Sequence, residues 1–255
     1  MAELSDQEFL RYSRQLLLKE IGLDGQQKLA KASVLIIGCG GLGSIAALYL
    51  AAAGVGGLTL ADGDSLEISN LQRQILYETS QLKEQKSEAA RSRLEALNPG
   101  IRVNTLPHLQ GEKLWQQVES HQLILDCSDN FATRHQVNRA SVHHRRPLIS
   151  GAAIGWRGQL TCIDPISHHG CYHCLHPDQQ EPLLSCKEAG VAGPVVGVIG
   201  SLQALQAIKW ICDLPVPFGT TQLFDAMAGQ WQRLTLPDTP HCPVCGEHKH
   251  AINHQ

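Results

Sequence analysis

Ser33-Val34-Leu35-Ile36-Ile37-Gly38-Cys39-Gly40-Gly41-Leu42-Gly43 decides the fold: an apolar run suited to a buried strand, a G-x-G-x-x-G turn, then Ile45-Ala46-Ala47-Leu48-Tyr49-Leu50 in helical pattern. Strand, glycine turn and helix in that order form the phosphate-cradling unit of a nucleotide-binding α/β sheet. Glycines also serve tight turns and close helix packing, so the motif counts only in context. Here the context agrees, because Asp62 closes a second apolar run, Leu58-Thr59-Leu60-Ala61, about 20 residues beyond the turn, where a carboxylate accepts hydrogen bonds from ribose hydroxyls. Up to Asp62, a nicotinamide-dependent oxidoreductase explains the pattern equally well.

Outward from this unit, strand and helix signals alternate. Residues 84–97 read as a helix stopped by Asn98-Pro99-Gly100, strands follow at 101–106, 123–125 and 148–149, and helices fill 114–120 and 133–144. That order predicts a doubly wound, Rossmann-like, mostly parallel sheet. After Gly151 three further strands, at 159–163, 222–224 and 231–236, predict an antiparallel extension across which a substrate can lie. Residues 177–194, with three prolines, two glycines and Cys186, read as a crossing loop. Upstream, Ser5-Asp6-Gln7-Glu8 is a capping box that opens an amphipathic helix, with Arg11 and Arg14 on one face.

With 255 residues, the chain has room for one large α/β domain, set here at 1–246, with a frayed tail at 247–255. A formal net charge of -3 excludes the global basic field of a nucleic-acid binder. Polar residues interrupt the longest apolar stretch, 195–211, so a buried or interface helix is expected there and no membrane partner. Glu3, Asp6 and Glu8 occupy the positions where a secretory leader is apolar, which places the expected location in the cytoplasm.

Beyond Asp62, Ser69-Asn70-Leu71-Gln72-Arg73-Gln74, Lys86 and Asp129 supply more phosphate-facing groups than holding a dinucleotide requires. Arg73 and Lys86 suit polyphosphate charge, Asn70 suits a phosphate oxygen, and Asp129 follows a strand, where it can hold magnesium or simply cap the next helix. The nine cysteines divide by position. Cys171 with Cys174 and Cys242 with Cys245 form two C-x-x-C knuckles, the four thiolates of a closed structural zinc site; His173 and His176 are alternative ligands, and a redox dithiol is the competing reading. Cys39, Cys127, Cys162 and Cys212 sit in apolar or glycine-rich elements and read as small buried hydrophobes. Cys186, beside Lys187 on the crossing loop, is the candidate nucleophile.

Together these residues resemble the bacterial sulfur-carrier adenylyltransferases of the ubiquitin-activating superfamily, the ThiF and MoeB type. The resemblance rests on Arg11-Tyr12-Ser13-Arg14-Gln15, the glycine turn, the 69–74 string, Lys86, Asp126-Cys127-Ser128-Asp129-Asn130, both knuckles, and Cys186 followed by Glu188-Ala189-Gly190-Val191. It implies a homodimer that uses ATP to adenylate the C-terminal Gly-Gly carboxylate of a small ubiquitin-like carrier, with release of pyrophosphate. It further implies that Gly38, Gly40, Gly41, Gly43, Asp62, Ser69, Asn70, Arg73, Lys86, Asp129 and Asn130 surround ATP. In the same reading Asp129 places magnesium, Arg14 reaches the partner subunit's site, and Cys186 serves the later sulfur transfer. Residues 170–182 and 11–15 look more like ThiF, and Ser150-Gly151-Ala152-Ala153-Ile154 more like MoeB. The expectation is thiamine thiazole biosynthesis with a ThiS-like carrier, the alternative MoaD and molybdopterin. Without a rhodanese domain after the second knuckle, sulfur is expected from a separate cysteine desulfurase or rhodanese-type donor. Two rival classes stand beside this reading: the oxidoreductase, and a non-catalytic, zinc-containing nucleotide-sensing module.

Overall fold

Ser33–Ile37 forms strand β1 at the centre of one mixed sheet, in a computed structural model that describes residues 4–167, 169–177 and 190–246. Its apolar run alternates between two cores. Val34 and Ile36 face one, Leu35 and Ile37 the other, so the strand needs helices on both sides. The sheet has eight strands in the order β3-β2-β1-β4-β5-β6-β7-β8. β2 (Gly57–Ala61), β3 (Arg102–Leu106), β4 (Leu123–Asp126) and β5 (Leu148–Ile154) run parallel to β1, whereas β6 (Arg157–Ile163), β7 (Thr220–Asp225) and β8 (Gln230–Thr235) pair antiparallel.

Helix α1 (Asp6–Leu16) begins at the expected capping box, with Ser5 and Glu8 satisfying each other's backbone groups. Helix α2 (Gly22–Lys31) follows, a helix the sequence did not announce. On their face of the sheet lie α3 (Gly41–Ala53), α4 (Lys86–Leu97) and α8 (Gly193–Ile211); on the other lie α5 (Gly111–Ser120), α6 (Phe131–His143) and the short α7 (Tyr172–Leu175). α8 is long and apolar enough to cross a membrane, yet Val195, Ile199, Ala204 and Ala207 are buried in the core beneath it. Gly200 allows this approach: a Cβ there would stand 2.6 Å from the Leu42 carbonyl oxygen of α3.

Two boundaries differ most from expectation. β5 runs for seven residues where two were read, because its small residues Gly151, Ala152 and Ala153 gain strand pairing from β6. The crossing loop does not extend to Pro194, which instead occupies the first turn of α8, where a proline's missing N–H costs nothing. Cys186 and the tail at 247–255 lie outside the described residues.

Candidate active site

The glycine turn sits where the chain leaves β1 for one face of the sheet and leaves the adjacent β4 for the other, the switch point at which open α/β sheets bind ligands. Gly38 has φ +93, and a Cβ there would stand 2.7 Å from the Cys127 carbonyl oxygen, so the turn is pressed against the end of β4. Gly40 caps α3 without a side chain, which leaves the first N–H groups of that helix to a ligand. Tyr77 Oη braces the turn from outside, 2.7 Å from Cys39 O and 3.3 Å from Lys86 O. No sequence signal marked Tyr77.

Asp62 closes β2 and reaches into the turn. Its Oδ2 accepts from Cys39 N at 2.7 Å and its Oδ1 from Asp64 N at 2.8 Å. Burial raises its pKa above the usual aspartate value, against the lowering effect of those two N–H donors and of Lys86. The same burial holds the Cys39 thiol neutral, so this cysteine is inert, as expected. Cys162 is likewise pushed to about 12 by burial.

Lys86 is the first residue of α4 and only 6% exposed, with Nζ 2.8 Å from Asp64 Oδ2. A long cationic side chain held among buried groups is costly without a partner, and Asp64 supplies one. The string 69–74 begins in a 3-10 turn, Ile68–Asn70, and its later residues cross over the glycine turn: a Cβ on Gly41 would stand 3.3 Å from Arg73 O. Asn70 Oδ1 is taken by Glu67 N, which leaves its amide nitrogen as the donor, and Arg73 Nη1 rests on Ser69 O at 3.0 Å. The exposed Ser69 donates to Glu67 Oε2.

On the β4 side, Asp126 shapes the loop that carries Asp129. Its carboxylate accepts from Ser128 N, Ser128 Oγ and Ser150 Oγ, while Arg134 donates to Ser128 O at 2.7 Å and Gln203 Nε2 to Asp126 O at 2.9 Å. Asn130, not Asp129, caps α6, accepting from Thr133 N at 2.8 Å. The capping alternative for Asp129 is therefore set aside. Among the described residues, its exposed carboxylate meets Asn130 Nδ2, at 3.5 Å.

Arg14 does not join this group. Its neighbours Tyr12 and Gln15 pack at the opposite end of α3, with Tyr12 Oη bonded to Asn98 Nδ2 and Gln15 Nε2 bonded to Ala53 O. The 13 residues of α3 separate the two ends by about 20 Å. Arg11, on the same face as Arg14, donates to Leu97 O at the end of α4.

The four knuckle cysteines converge on the far side of α6. Their sulfurs all lie within 4.8 Å of one another, with Cys171 to Cys174 at 4.0 Å, Cys171 to Cys242 at 3.8 Å and Cys174 to Cys245 at 3.5 Å. A regular tetrahedron of thiolates about 2.3 Å from zinc has edges of about 3.8 Å, so the sulfurs fit a four-cysteine zinc site. His173 and His176 are not needed as ligands. His173 meets the His135 ring edge to face, and His176 meets Phe131 edge to face and Tyr172 at a tilt.

Comparison with known proteins agrees with this geometry. The model of the ThiF family matches residues 12–244. The sulfur carrier protein ThiS adenylyltransferase of Escherichia coli K12 is 52% identical, over 95% of this chain and 97% of that protein. The molybdopterin-synthase adenylyltransferase of the same organism is 45% identical, over 97% of this chain and all of that one. A crystal structure of Escherichia coli MccB with ATP superposes with a TM-score of 0.80 at 26% identity, covering 95% of this chain and 75% of that one.

Proposed function

Because the chain belongs to the ThiF family and is a sulfur carrier protein adenylyltransferase that uses ATP, we propose that its carrier is ThiS-like and that it acts in thiamine thiazole biosynthesis. The observation that carries this choice is the 52% identity to the ThiS adenylyltransferase, against 45% for the molybdopterin-synthase adenylyltransferase. A MoaD-like carrier is the second reading, favoured by that second relative's match along its whole length. The oxidoreductase and sensing-module classes fall away with the family.

In this reading the adenine nucleotide lies over the glycine turn, with its ribose hydroxyls donating to Asp62 and its phosphates toward the uncapped start of α3, Asn70, Arg73 and Lys86. Ser69 and Asn130 line the same crevice. The carrier's terminal glycine carboxylate attacks the α-phosphorus; the new P–O bond forms as the bond to pyrophosphate breaks, giving a mixed acyl phosphate anhydride. Two anions meet in that step, and negative charge gathers on the phosphoryl oxygens and the leaving pyrophosphate. Arg73 and Lys86, fixed before reaction, stabilise that charge more than they stabilise the ground state. Asp129 would hold magnesium, which when bound supplies further charge neutralisation at the phosphates.

The carrier is placed on the antiparallel half of the sheet. Ile154, Trp156 and Met227 are exposed on the β5–β6 and β7–β8 turns, at the crevice end of the sheet, where a soluble surface ordinarily avoids grouped large apolar residues. The return of the crossing loop is fixed at the same end, with Gly155 N bonded to Gly190 O and Ala192 N to Gly155 O, both at 2.9 Å. A Gly-Gly tail passing between them has a direct path to the glycine turn.

Two further elements belong to the proposal. The distance between Arg14 and its own crevice supports a homodimer in which Arg14 serves the partner subunit's nucleotide. After adenylation Cys186 takes part in sulfur transfer, with sulfur from a separate cysteine desulfurase or rhodanese-type donor in the reducing cytoplasm. The deciding experiment offers purified ThiS-like and MoaD-like carriers with ATP and magnesium and detects the acyl-adenylate by mass spectrometry. Adenylation of the ThiS-like carrier alone supports the proposal, and adenylation of the MoaD-like carrier alone refutes it.

A further inference from the structure

α6 touches the zinc knuckle along one face and carries the Asp129 loop at its first turn. Phe131, His135 and Asn138 follow the spacing that aligns side chains on a helix. All three meet the 171–176 segment. Phe131 and His176 rings stand edge to face at 5.7 Å, and His135 and Tyr172 at 5.4 Å. Asn138, fully buried, makes the polar contact: its Nδ2 donates to Cys171 Sγ at 3.5 Å and its Oδ1 accepts from Tyr172 N at 3.0 Å. One amide thus serves a metal-ligating sulfur and the backbone of the next residue at once. Aspartate lacks the donor, and serine is too short to span both.

We propose that Asn138 is a positioning residue which orients the Cys171 sulfur for zinc and fixes the register of α6 against the knuckle, so that zinc occupancy sets the placement of Asp129. An N–H donor directed at a thiolate stabilises the charged form that zinc requires, and partners of this kind change metal affinity by about 10- to 100-fold. The route to Asp129 is short and stiff: Asn138 lies on the second turn of a helix whose cap is Asn130, the residue next to Asp129. A shift of the helix moves the cap with it. The inference rests on the role given to Asp129 above, and the test separates the two.

Zinc affinity is measured on the full-length protein by competition with a chromophoric chelator, and the magnesium concentration for half-maximal carrier-dependent pyrophosphate exchange is measured alongside. Asn138→Ala and Asn138→Asp are compared with Val137→Ala, which trims a buried apolar residue of the same helix outside the polar contact. The expected result is zinc affinity at least 10-fold weaker in both Asn138 variants and a raised magnesium requirement that excess zinc restores, with neither change in Val137→Ala. Unchanged zinc affinity in a folded Asn138 variant overturns the proposal, as does an unchanged magnesium requirement. If Asn138→Ala fails to fold, Asn138→Asp, which keeps the acceptor for Tyr172 N, carries the test. Normal exchange by Asp129→Ala would remove the Asp129 role while leaving the zinc measurement intact.

Discussion

Two glycines of the same turn should respond in opposite ways to one added methyl group. At Gly43 a Cβ would overlap the Gly38 carbonyl oxygen outright and stand 2.9 Å from its carbon, against the about 3.5–4.0 Å at which carbon atoms rest. Both partners are backbone, so relief requires α3 to move off the end of β1. That movement disturbs its packing on α8, and forced overpacking of this kind costs about 3 kcal/mol. For a chain of this length, about 2 °C per kcal/mol, Gly43→Ala should melt about 6 °C lower. At Gly40 the nearest atom to an added Cβ is Gln74 Nε2, at 3.6 Å, an ordinary contact, and φ is negative. Gly40→Ala should lose only the small preference of a helix cap for glycine, about 1 kcal/mol or 2 °C. Its methyl group would instead stand in the path of the phosphates, and the KM for ATP should rise by about tenfold, equivalent to about 1.4 kcal/mol. Differential scanning fluorimetry without nucleotide, with pyrophosphate exchange at varied ATP, reads both quantities. A Gly43→Ala protein melting with the wild type, or a Gly40→Ala protein with unchanged KM and a large loss of stability, would refute this division of the turn.

Other outcomes follow from the same geometry. An ionised Asp62 accepts ribose hydroxyls more strongly than a neutral one and its pKa is raised by burial, so ATP affinity should fall, as pH drops, at a higher pH than an ordinary aspartate dictates; without nucleotide the sign reverses, the stability contribution of the raised group being present at low pH and lost as pH rises through its folded-state pKa. Titration of ATP binding and melting temperature from neutral to acidic pH checks both signs, and parallel trends would contradict them. Arg14→Ala and Asp129→Ala should each abolish exchange, whereas a re-equilibrated equal mixture should recover about a quarter of wild-type activity, since half the dimers carry one intact composite site; no recovery leaves Arg14 without a role across the interface. Cys186→Ala should exchange pyrophosphate normally and fail in sulfur incorporation, measured as carrier thiocarboxylate by mass spectrometry.

The sequence revealed those parts of the molecule in which one residue type has one use. An apolar pentapeptide followed by spaced glycines has few alternatives to a strand and a tight turn, and paired C-x-x-C knuckles have few alternatives to a metal site. It concealed the polar residues that work inside the protein. Gln26 on α2 is fully buried and donates to Ala53 O, but in the sequence it looks like a solvated side chain, and with Ile21 offering no cap the whole helix passes unnoticed. Gln203 and Asn138 are hidden in the same way, on α8 and α6, because their partners lie 77 and 33 residues distant in the chain. Asp129 read as the alternative cap of α6, but it is the side chain of Asn130 that accepts from Thr133 N.

The placement of α1 at the back end of α3 bears on how the enzyme behaves in a dilute cell. If Arg14 completes a neighbour's crevice, a lone subunit carries every other residue proposed to hold the nucleotide and still lacks one charge. Turnover per subunit then becomes a function of abundance, falling as expression drops beneath the dissociation constant of the pair, so that synthesis level alone throttles the first step of sulfur delivery.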